Sequence, residues 1–212
     1  MTQEFIKRIL SSIILIFLSL FFIIKGSLIF TFFISLCLLI TSYEWHMMSK
    51  KKSYHIYGFI FLIFSFYTIY KLRINSENDY WFILFITIIC VSTDLGGYIF
   101  GKIFRGPKLT KFSPNKTYSG MIGGYLLSII SITIFANDML EKGGLPFNWL
   151  IFVLLVSSIS QLGDIFISYF KRLSKIKDTG KIIPGHGGLL DRIDGMIFAF
   201  PFSYIILMTN FL

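Results

Sequence analysis

Residues 80–100 read YWFILFITIICVSTDLGGYIF, an apolar run about as long as a helix that crosses a bilayer. Similar runs recur along the whole chain, without the alternation of apolar and polar residues that marks the strands of a β-barrel. Hydrophobic residues make up 55% of the 212 residues and charged residues 15%, which excludes a soluble globular enzyme, a disordered chain and a secreted disulfide scaffold. The sequence therefore predicts an all-α, polytopic integral membrane protein.

Seven membrane segments are predicted from these runs. The first follows Lys7 and Arg8 as the core of a signal peptide would, but no small-residue cleavage site comes after it, so we expect a retained helix. No internal repeat, linker or soluble domain is visible, which predicts a single membrane domain over residues 1–212, with scaffold helices in residues 1–80. The segments cover residues 9–24, 27–43, 54–70, 80–100, 119–136, 149–167 and 193–212.

Lysines and arginines predict the orientation, because they are enriched in cytoplasmic connections. The N-terminal tail and the second, fourth and sixth connections hold 16 of the 20. The N-terminus is therefore predicted to be cytoplasmic, and the fourth and sixth connections, residues 101–118 and 168–192, share that side. The net charge of +9 is assigned to the membrane surface, so we expect membrane lipids as partners and no nucleic acid. Glu44, near a lysine run at 50–52, is expected to be an interfacial anchor.

Two carboxylates lie within or at the end of apolar runs. Asp94 is in the fourth run, and Asp164 ends the sixth. A carboxylate at membrane depth costs about 2.5–3.5 kcal/mol on insertion scales, so each is expected to face a wet cavity or a cation, unless headgroups solvate it at the interface. Gly96, Gly97 and Gly101 follow Asp94 at helical spacings and would let another helix approach closely, which favours an inward face for Asp94.

The sixth connection is the richest in chemistry and reads SYFKRLSKIKDTGKIIPGHGGLLDRIDG over residues 168–195. Its glycine-rich stretch at 184–188 predicts a flexible turn whose exposed amides could approach an anion. Asp191 and Asp194 are three residues apart, so both carboxylates are expected on the helix face that opens the last span. The connection also carries a basic stretch that is predicted to be helical, formed by Lys171, Arg172, Lys175 and Lys177.

Each of these features alone has an ordinary explanation. Basic residues anchor proteins to headgroups, glycines form turns, and an acidic pair stabilises the start of a helix. Together they suit a reaction, because carboxylates bind Mg²⁺, which usually keeps substrate phosphates in its shell, while lysine and arginine bind the remaining phosphate charge. The combination at a cytoplasmic membrane surface indicates phosphoryl or nucleotidyl transfer onto a lipid.

The fourth connection adds a second candidate phosphate site. Ser113 followed by Pro114 predicts a helix start, with serine as the cap and proline at the first helical position. Free amides there, with Lys111 and Lys116 nearby, would suit a phosphate. The alternative is an ordinary helix start before the fifth span.

At these residues the sequence resembles a known family. Residues 168–194 are similar to the signature of the phosphatidate cytidylyltransferases, or CDP-diacylglycerol synthases. With the family-like segments 94–101, 113–120 and 160–164, the resemblance covers a catalytic core of roughly residues 90–196. The positions that fit the signature are Ser168, Lys171, Arg172, Lys177, Asp178, Gly180, Pro184, Gly185, His186, Gly187, Gly188, Asp191, Arg192 and Asp194.

Four positions depart from the family pattern. Asn115, Tyr118 and Ser119 stand where the family often has lysine, tryptophan and glutamate. Gly195 stands where serine is common, so a hydroxyl contact is not expected there. Every carboxylate that the resemblance assigns to a metal is present.

The resemblance implies that CTP and phosphatidate react to give CDP-diacylglycerol and pyrophosphate, with Mg²⁺ and room for a second metal ion. It implies an active site on the cytoplasmic side of the bacterial cytoplasmic membrane, and a homodimer would fit. Asp164 and Asp191 are the expected metal ligands, with Asp194 a third.

The other implied roles concern phosphates and substrates. His186 is expected either to bond a phosphate or to hold the turn, and Asp178 either to orient a lysine or to bind metal. Gly185, Gly187 and Gly188 shape the loop. The expected phosphate contacts are Lys171, Arg172, Lys177 and Arg192, and the residues expected to line the substrate cavity are Asp94, Ser113 and Lys116.

Two alternatives stay open from the residues. A CTP-dependent kinase of lipid alcohols would need a base near the hydroxyl and would release CDP. A cation transporter could use the buried carboxylates, but it leaves the glycine-rich loop and the cytoplasmic cations unexplained.

Overall fold

The computed structural model describes residues 3–74, 80–110, 113, 115–136, 147–183 and 187–209. Regular structure in these residues is helical, and their β pairing is limited to two isolated bridges. The prediction of an all-α protein is confirmed. The helices are α1 (Gln3–Lys25), α2 (Ser27–Ser49), α3 (His55–Ile74), α4 (Trp81–Phe104), α5 (Tyr118–Ala136), α6 (Phe147–Leu173), α7 (Leu190–Ile193) and α8 (Met196–Met208).

Helices α2 to α6 are long and apolar enough to cross a membrane. They correspond to the second to sixth predicted segments, which confirms a polytopic membrane protein. Helix α8 is apolar but has only 13 residues, fewer than the ~20 that cross a bilayer comfortably. The first and seventh segments therefore stay predictions as membrane spans, and residues 210–212 of the seventh lie outside the described residues.

The chain divides into two compact units. Unit 1 comprises Met1–Ile83 and Phe170–Asp194, and unit 2 comprises Leu84–Tyr169 and Gly195–Leu212. Most of the signature-like segment thus belongs to the same unit as the first three helices, which the sequence had assigned to a plain scaffold. A single membrane domain over residues 1–212 stays a prediction.

In unit 1, aromatic side chains attach the start of the sixth connection to α2 and to the turn before α3. The ring of Phe170 lies 5.4 Å from that of Trp45 and 4.7 Å from that of Tyr54, measured between centroids. The Tyr54 hydroxyl also lies 3.1 Å from the hydroxyl of Ser174. Offset and edge contacts of this kind contribute about 0.5–1.5 kcal/mol each beyond their burial, so they fix the position at which α6 ends.

In unit 2, glycines allow α4 and α5 to touch through their backbones. A Cβ added to Gly96 would overlap the carbonyl oxygen of Gly123, and one added to Gly120 would lie 2.7 Å from the carbonyl oxygen of Gly97. The close helix approach predicted from Gly96, Gly97 and Gly101 is therefore confirmed.

The place of Asp94 in a substrate cavity stays a prediction. Asp94 is exposed, whereas the adjacent Thr93 is buried and donates from its hydroxyl to Ser157 Oγ at 2.8 Å. One residue of helix rotates a side chain by about 100°, so Asp94 points in a different direction from the Thr93 hydroxyl, which faces α6.

Replacing Gly96 with valine should destabilise unit 2, because the new side chain would collide with the Gly123 carbonyl. We expect a loss of about 3 kcal/mol, measured as a lower thermal unfolding midpoint in detergent. Leu95→Val on the exposed side of α4 is the matched control. Equal midpoints for the two variants would contradict the backbone contact.

Candidate active site

The basic stretch of the sixth connection is not one helix. Helix α6 ends at Leu173, and Lys175 has a φ of +58°, in the left-handed region. The Ile176 amide donates to the Lys171 carbonyl at 3.0 Å and the Lys175 amide to the Arg172 carbonyl at 3.0 Å, which together form a Schellman motif. The prediction of a helix through Lys175 and Lys177 is wrong, because this motif turns the chain out of the helical path.

Beyond this turn the chain returns to the end of α6 through Asp191. One carboxylate oxygen of Asp191 accepts from Lys171 Nζ at 2.9 Å. The other accepts from the Thr179 amide at 2.8 Å and from the Gly188 amide at 3.0 Å. The two charged side chains are largely buried, with relative exposures of 11% for Lys171 and 5% for Asp191. The structure thus brings together a predicted metal ligand and a predicted phosphate contact.

This environment keeps Asp191 ionised. Burial raises the pKa of the carboxyl, but the Gly188 amide, the Lys171 ammonium and the Thr179 amide lower it by more, so the pKa lies below its ordinary value. A lowered pKa in the folded state stabilises the fold at neutral pH, and this contribution is lost only as the pH falls through the lowered value.

The glycine-rich loop has a geometric reason for two of its glycines. Gly187 has a φ of +86°, and a Cβ there would lie 2.8 Å from the Asp191 carboxylate. A Cβ on Gly188 would overlap the Thr179 hydroxyl. The Ile183 amide donates to the Gly187 carbonyl at 2.9 Å and closes the loop. The predicted positions Gly185 and His186 lie outside the described residues.

The amides next to this loop donate to a carboxylate outside the predicted site residues. Glu44, with a relative exposure of 1%, accepts from the Leu189 amide at 2.9 Å and from the Leu190 amide at 2.8 Å. It also accepts from the Thr179 hydroxyl at 3.1 Å. The amides of residues 188–190 therefore bond to carboxylates of the chain itself. Of the amides predicted to be exposed to an anion, that of Gly188 is already bonded to Asp191, and those of residues 184–186 lie outside the described residues.

The interfacial role expected for Glu44 is also wrong, because the carboxylate is buried within unit 1. The second segment was predicted to end at residue 43, whereas α2 continues to Ser49. A carboxylate at the end of α2 is as costly to place at membrane depth as Asp94 or Asp164. Applied to Glu44, this cost would have identified the residue from the sequence.

The remaining predicted residues of unit 1 differ in exposure. Asp194 has a relative exposure of 8% and follows α7 with helical dihedral angles, three residues after Asp191. The other predicted cations and one acid are exposed: Arg172, Lys177, Arg192 and Asp178.

In unit 2, Asp164 forms an ion pair with Lys116. Lys116 Nζ also lies 3.5 Å from the carbonyl of Gln161, and the Ser168 hydroxyl donates to the other oxygen of Asp164 at 3.3 Å. About a quarter of each charged side chain is exposed. Each unit therefore pairs one predicted metal ligand with one predicted phosphate-binding lysine.

The helix start predicted at Ser113 is wrong, and Pro114 and Lys111 lie outside the described residues. Helix α5 begins at Tyr118, where the Thr117 hydroxyl caps the Gly120 amide at 3.1 Å. The preceding loop is closed by the Leu109 amide, which donates to the Lys116 carbonyl at 2.8 Å. Ser113 belongs to this loop and does not begin a helix, so it does not provide the helix amides that were expected to bind a phosphate. A substrate contact of the Ser113 side chain stays a prediction.

Among the described residues, no group of three or more His, Cys, Asp or Glu side chains is placed to hold a metal ion. Mg²⁺ is usually held by one or two carboxylates together with substrate phosphates and water, so the carboxylate chemistry still fits this ion. The assignment of Asp164, Asp191 and Asp194 as ligands stays a prediction.

Gly195, one of the departures from the family pattern, lies directly against Ser160. A Cβ on Gly195 would overlap the Ser160 hydroxyl and lie 2.8 Å from its carbonyl oxygen. Ser160 Oγ is buried without a hydrogen-bond partner among the described residues. The hydroxyl of Ser160 thus fills the space that a serine at position 195 would need.

Comparison with known proteins agrees with the resemblance. The model of the cytidylyltransferase family matches residues 55–210. This chain belongs to the cytidylyltransferase family.

Three relatives in the cytidylyltransferase family carry the name phosphatidate cytidylyltransferase. The protein of Brucella suis is 33% identical over 177 residues, covering 82% of this chain and 63% of that protein. The protein of Bacillus subtilis is 35% identical over 150 residues, covering 70% and 55%. The protein of Rickettsia typhi is 35% identical over 206 residues, covering 94% and 90%. The chain thus spans about six tenths of the first of these relatives and nearly all of the last.

We expect Gly195→Ser to cost about 1–3 kcal/mol of stability, because the added side chain meets Ser160. Adding Ser160→Gly should restore most of the loss by making room. Unfolding midpoints of the wild type, the two single variants and the double variant form a cycle that measures this coupling. Additive effects would show that the two residues do not compete for the same space.

Proposed function

We propose that this chain transfers the cytidylyl group of CTP to phosphatidate, giving CDP-diacylglycerol and pyrophosphate at the cytoplasmic side of a bacterial inner membrane. The observation that carries the proposal is the signature-like segment 168–194 inside the family match over residues 55–210. The shared name of the relatives supports the same substrates.

The reaction is a displacement at the α-phosphorus of CTP. A phosphate oxygen of phosphatidate attacks, the bond to the pyrophosphate oxygen breaks, and pyrophosphate leaves. The nucleophile is already anionic at neutral pH, so no general base is needed. The main obstacle is repulsion between an anionic lipid and a triphosphate, which cations of the site must offset.

Cations of unit 1 can offset the repulsion between phosphatidate and CTP. The exposed side chains of Arg172, Lys177 and Arg192 are proposed to bind phosphate oxygens. Lys171, aligned by Asp191, is proposed to stabilise charge on a phosphate oxygen. Mg²⁺ would supply further positive charge; Asp191 and Asp194 are the carboxylates of unit 1 that we propose would hold it, and Asp164, which belongs to unit 2, is also a proposed ligand.

Neither alternative function gains support. A lipid-alcohol kinase needs a base for a hydroxyl nucleophile, whereas two carboxylates of the site, Asp164 and Asp191, are paired with lysines. A transporter would give the exposed cations no role. A homodimer stays a prediction.

The activity is tested by incubating detergent-purified protein with cytidine-labelled CTP, phosphatidate and Mg²⁺. We expect the label in the lipid fraction and pyrophosphate released in equal amount. Omitting phosphatidate should abolish both signals. Release of CDP together with a phosphorylated alcohol would instead establish the kinase, and retention of all the label in CTP would overturn the proposal.

Asp191→Asn should lower turnover by about 100-fold or more, because it removes the negative charge that aligns Lys171. The asparagine oxygen can still accept from the Thr179 and Gly188 amides, but the largely buried Lys171 ammonium loses its charged partner, so the unfolding midpoint should fall as well and turnover is measured per folded protein. Asp79→Asn, in the third connection, is the matched control for loss of one acidic charge. Unchanged turnover in Asp191→Asn would contradict the proposed role of Asp191.

A further inference from the structure

We propose that Glu44 is a positioning residue, which holds the segment that presents Asp191 to the reaction. The inference rests on the proposed function, because it explains how a residue from α2 prepares the signature-like segment for catalysis. Glu44 lies in the part of the chain that the sequence had assigned to the scaffold, and it is separated by 145 and 146 residues from the amides that it binds.

A buried carboxylate is stable only where hydrogen-bond donors satisfy its oxygens. Glu44 is almost fully buried, and an unpaired buried charge would be strongly unfavourable. Both oxygens instead accept from donors of the segment: one from the Leu189 amide, the other from the Leu190 amide and the Thr179 hydroxyl. Hydrogen bonds to an ionised acceptor are shorter and stronger than neutral ones. The segment is therefore held where Glu44 places it.

The Glu44 carboxylate also packs directly against Gly180 and Gly188. A Cβ on Gly180 would lie 2.7 Å from one oxygen of Glu44, and a Cβ on Gly188 would lie 2.6 Å from both. Neither glycine has a positive φ, so backbone conformation does not require glycine at these two positions. The Glu44 carboxylate occupies the space that a side chain would need at Gly180, and at Gly188 it does so together with the Thr179 hydroxyl.

Glu44 and Asp191 accept hydrogen bonds from the same short stretches of the chain. Thr179 donates from its hydroxyl to Glu44 and from its amide to Asp191. Gly188, which donates to Asp191, is followed directly by the two amides that donate to Glu44. The same short stretches of backbone therefore connect the two carboxylates, so a shift of the segment away from Glu44 moves the donors that fix Asp191 and its partner Lys171.

Glu44→Gln tests the hydrogen bonds that hold Thr179, Leu189 and Leu190 to Glu44, which we call the tether, with little change in the shape of the side chain. The amide oxygen of glutamine can replace one carboxylate oxygen, but its NH₂ group then faces the N–H of Leu189 or of Leu190, so that two donors meet. We expect kcat per folded protein to fall at least tenfold, with KM for CTP changed less than threefold, because the cations proposed to bind CTP are exposed, whereas Glu44 is buried and bonds to Thr179 and to backbone amides. Thr41→Val is the matched control, since Thr41 is also buried in α2 but bonds to carbonyls of its own helix.

Two further readouts separate positioning from general stability. Thr179→Val should lower kcat and Thr179→Ser should restore it, because serine keeps the hydroxyl that bonds to Glu44. In an Asp191→Asn background, Glu44→Gln should lower kcat no further, since it acts through Asp191. Additive losses, or a lower unfolding midpoint with unchanged kcat per folded protein, would overturn the inference.

A final measurement does not depend on activity. Lys181 is exposed and follows Gly180 directly, so trypsin cleavage after Lys181 reports how firmly the segment is held. Glu44→Gln should speed this cleavage at least fivefold, and Thr41→Val should not. If the wild type fails to transfer the cytidylyl group, the proposed function fails, while faster cleavage in Glu44→Gln would still support the tether. Equal cleavage rates in Glu44→Gln and the wild type would refute it.

Discussion

A buried carboxylate must be satisfied from within the protein, and in unit 1 this constraint organises the signature-like segment. Glu44 is brought to the end of α2 by an otherwise apolar helix, where water cannot solvate it. Amides of Leu189 and Leu190 and a hydroxyl of Thr179 replace that water. The glycines at 180 and 188 leave the space that this arrangement needs. The shape of the segment thus follows from the solvation of one acid in a helix far away in sequence.

The charged residues of both units follow a common rule. Asp191 is paired with Lys171 in unit 1, and Asp164 is paired with Lys116 in unit 2. In a chain with few charges, an acid that is partly withdrawn from water is stabilised by a nearby cation, and breaking a buried pair from one side is costly. The same groups suit a reaction of polyanions, because lysines bind phosphate and carboxylates bind divalent cations. Structural pairing and proposed catalytic use therefore draw on the same residues.

The sequence predicts well what depends on local pattern. Apolar runs predicted five helices, and the spacing of Gly96, Gly97 and Gly101 predicted the contact with α5. It predicts less well where helices begin and end, because a Schellman motif at Lys175 and a threonine cap at Thr117 leave only weak local signals. The bonds between Glu44 and the glycine-rich segment join residues that no local pattern connects, and the exposure of Asp94 depends on which face of α4 packs.

The arrangement of the amides also limits how a nucleotide can be bound. A glycine-rich turn with free N–H groups is a common anion site, and the sequence alone favoured that use. In the structure the amides of residues 188–190 already donate to Asp191 and Glu44. An added phosphate would have to displace a buried carboxylate to reach them, at the cost of leaving that charge unpaired. Within the described part of unit 1, the phosphate contacts that we propose are therefore side chains, those of Arg172, Lys177 and Arg192, whereas the Thr179 and Gly188 amides fix Asp191, which is paired with Lys171.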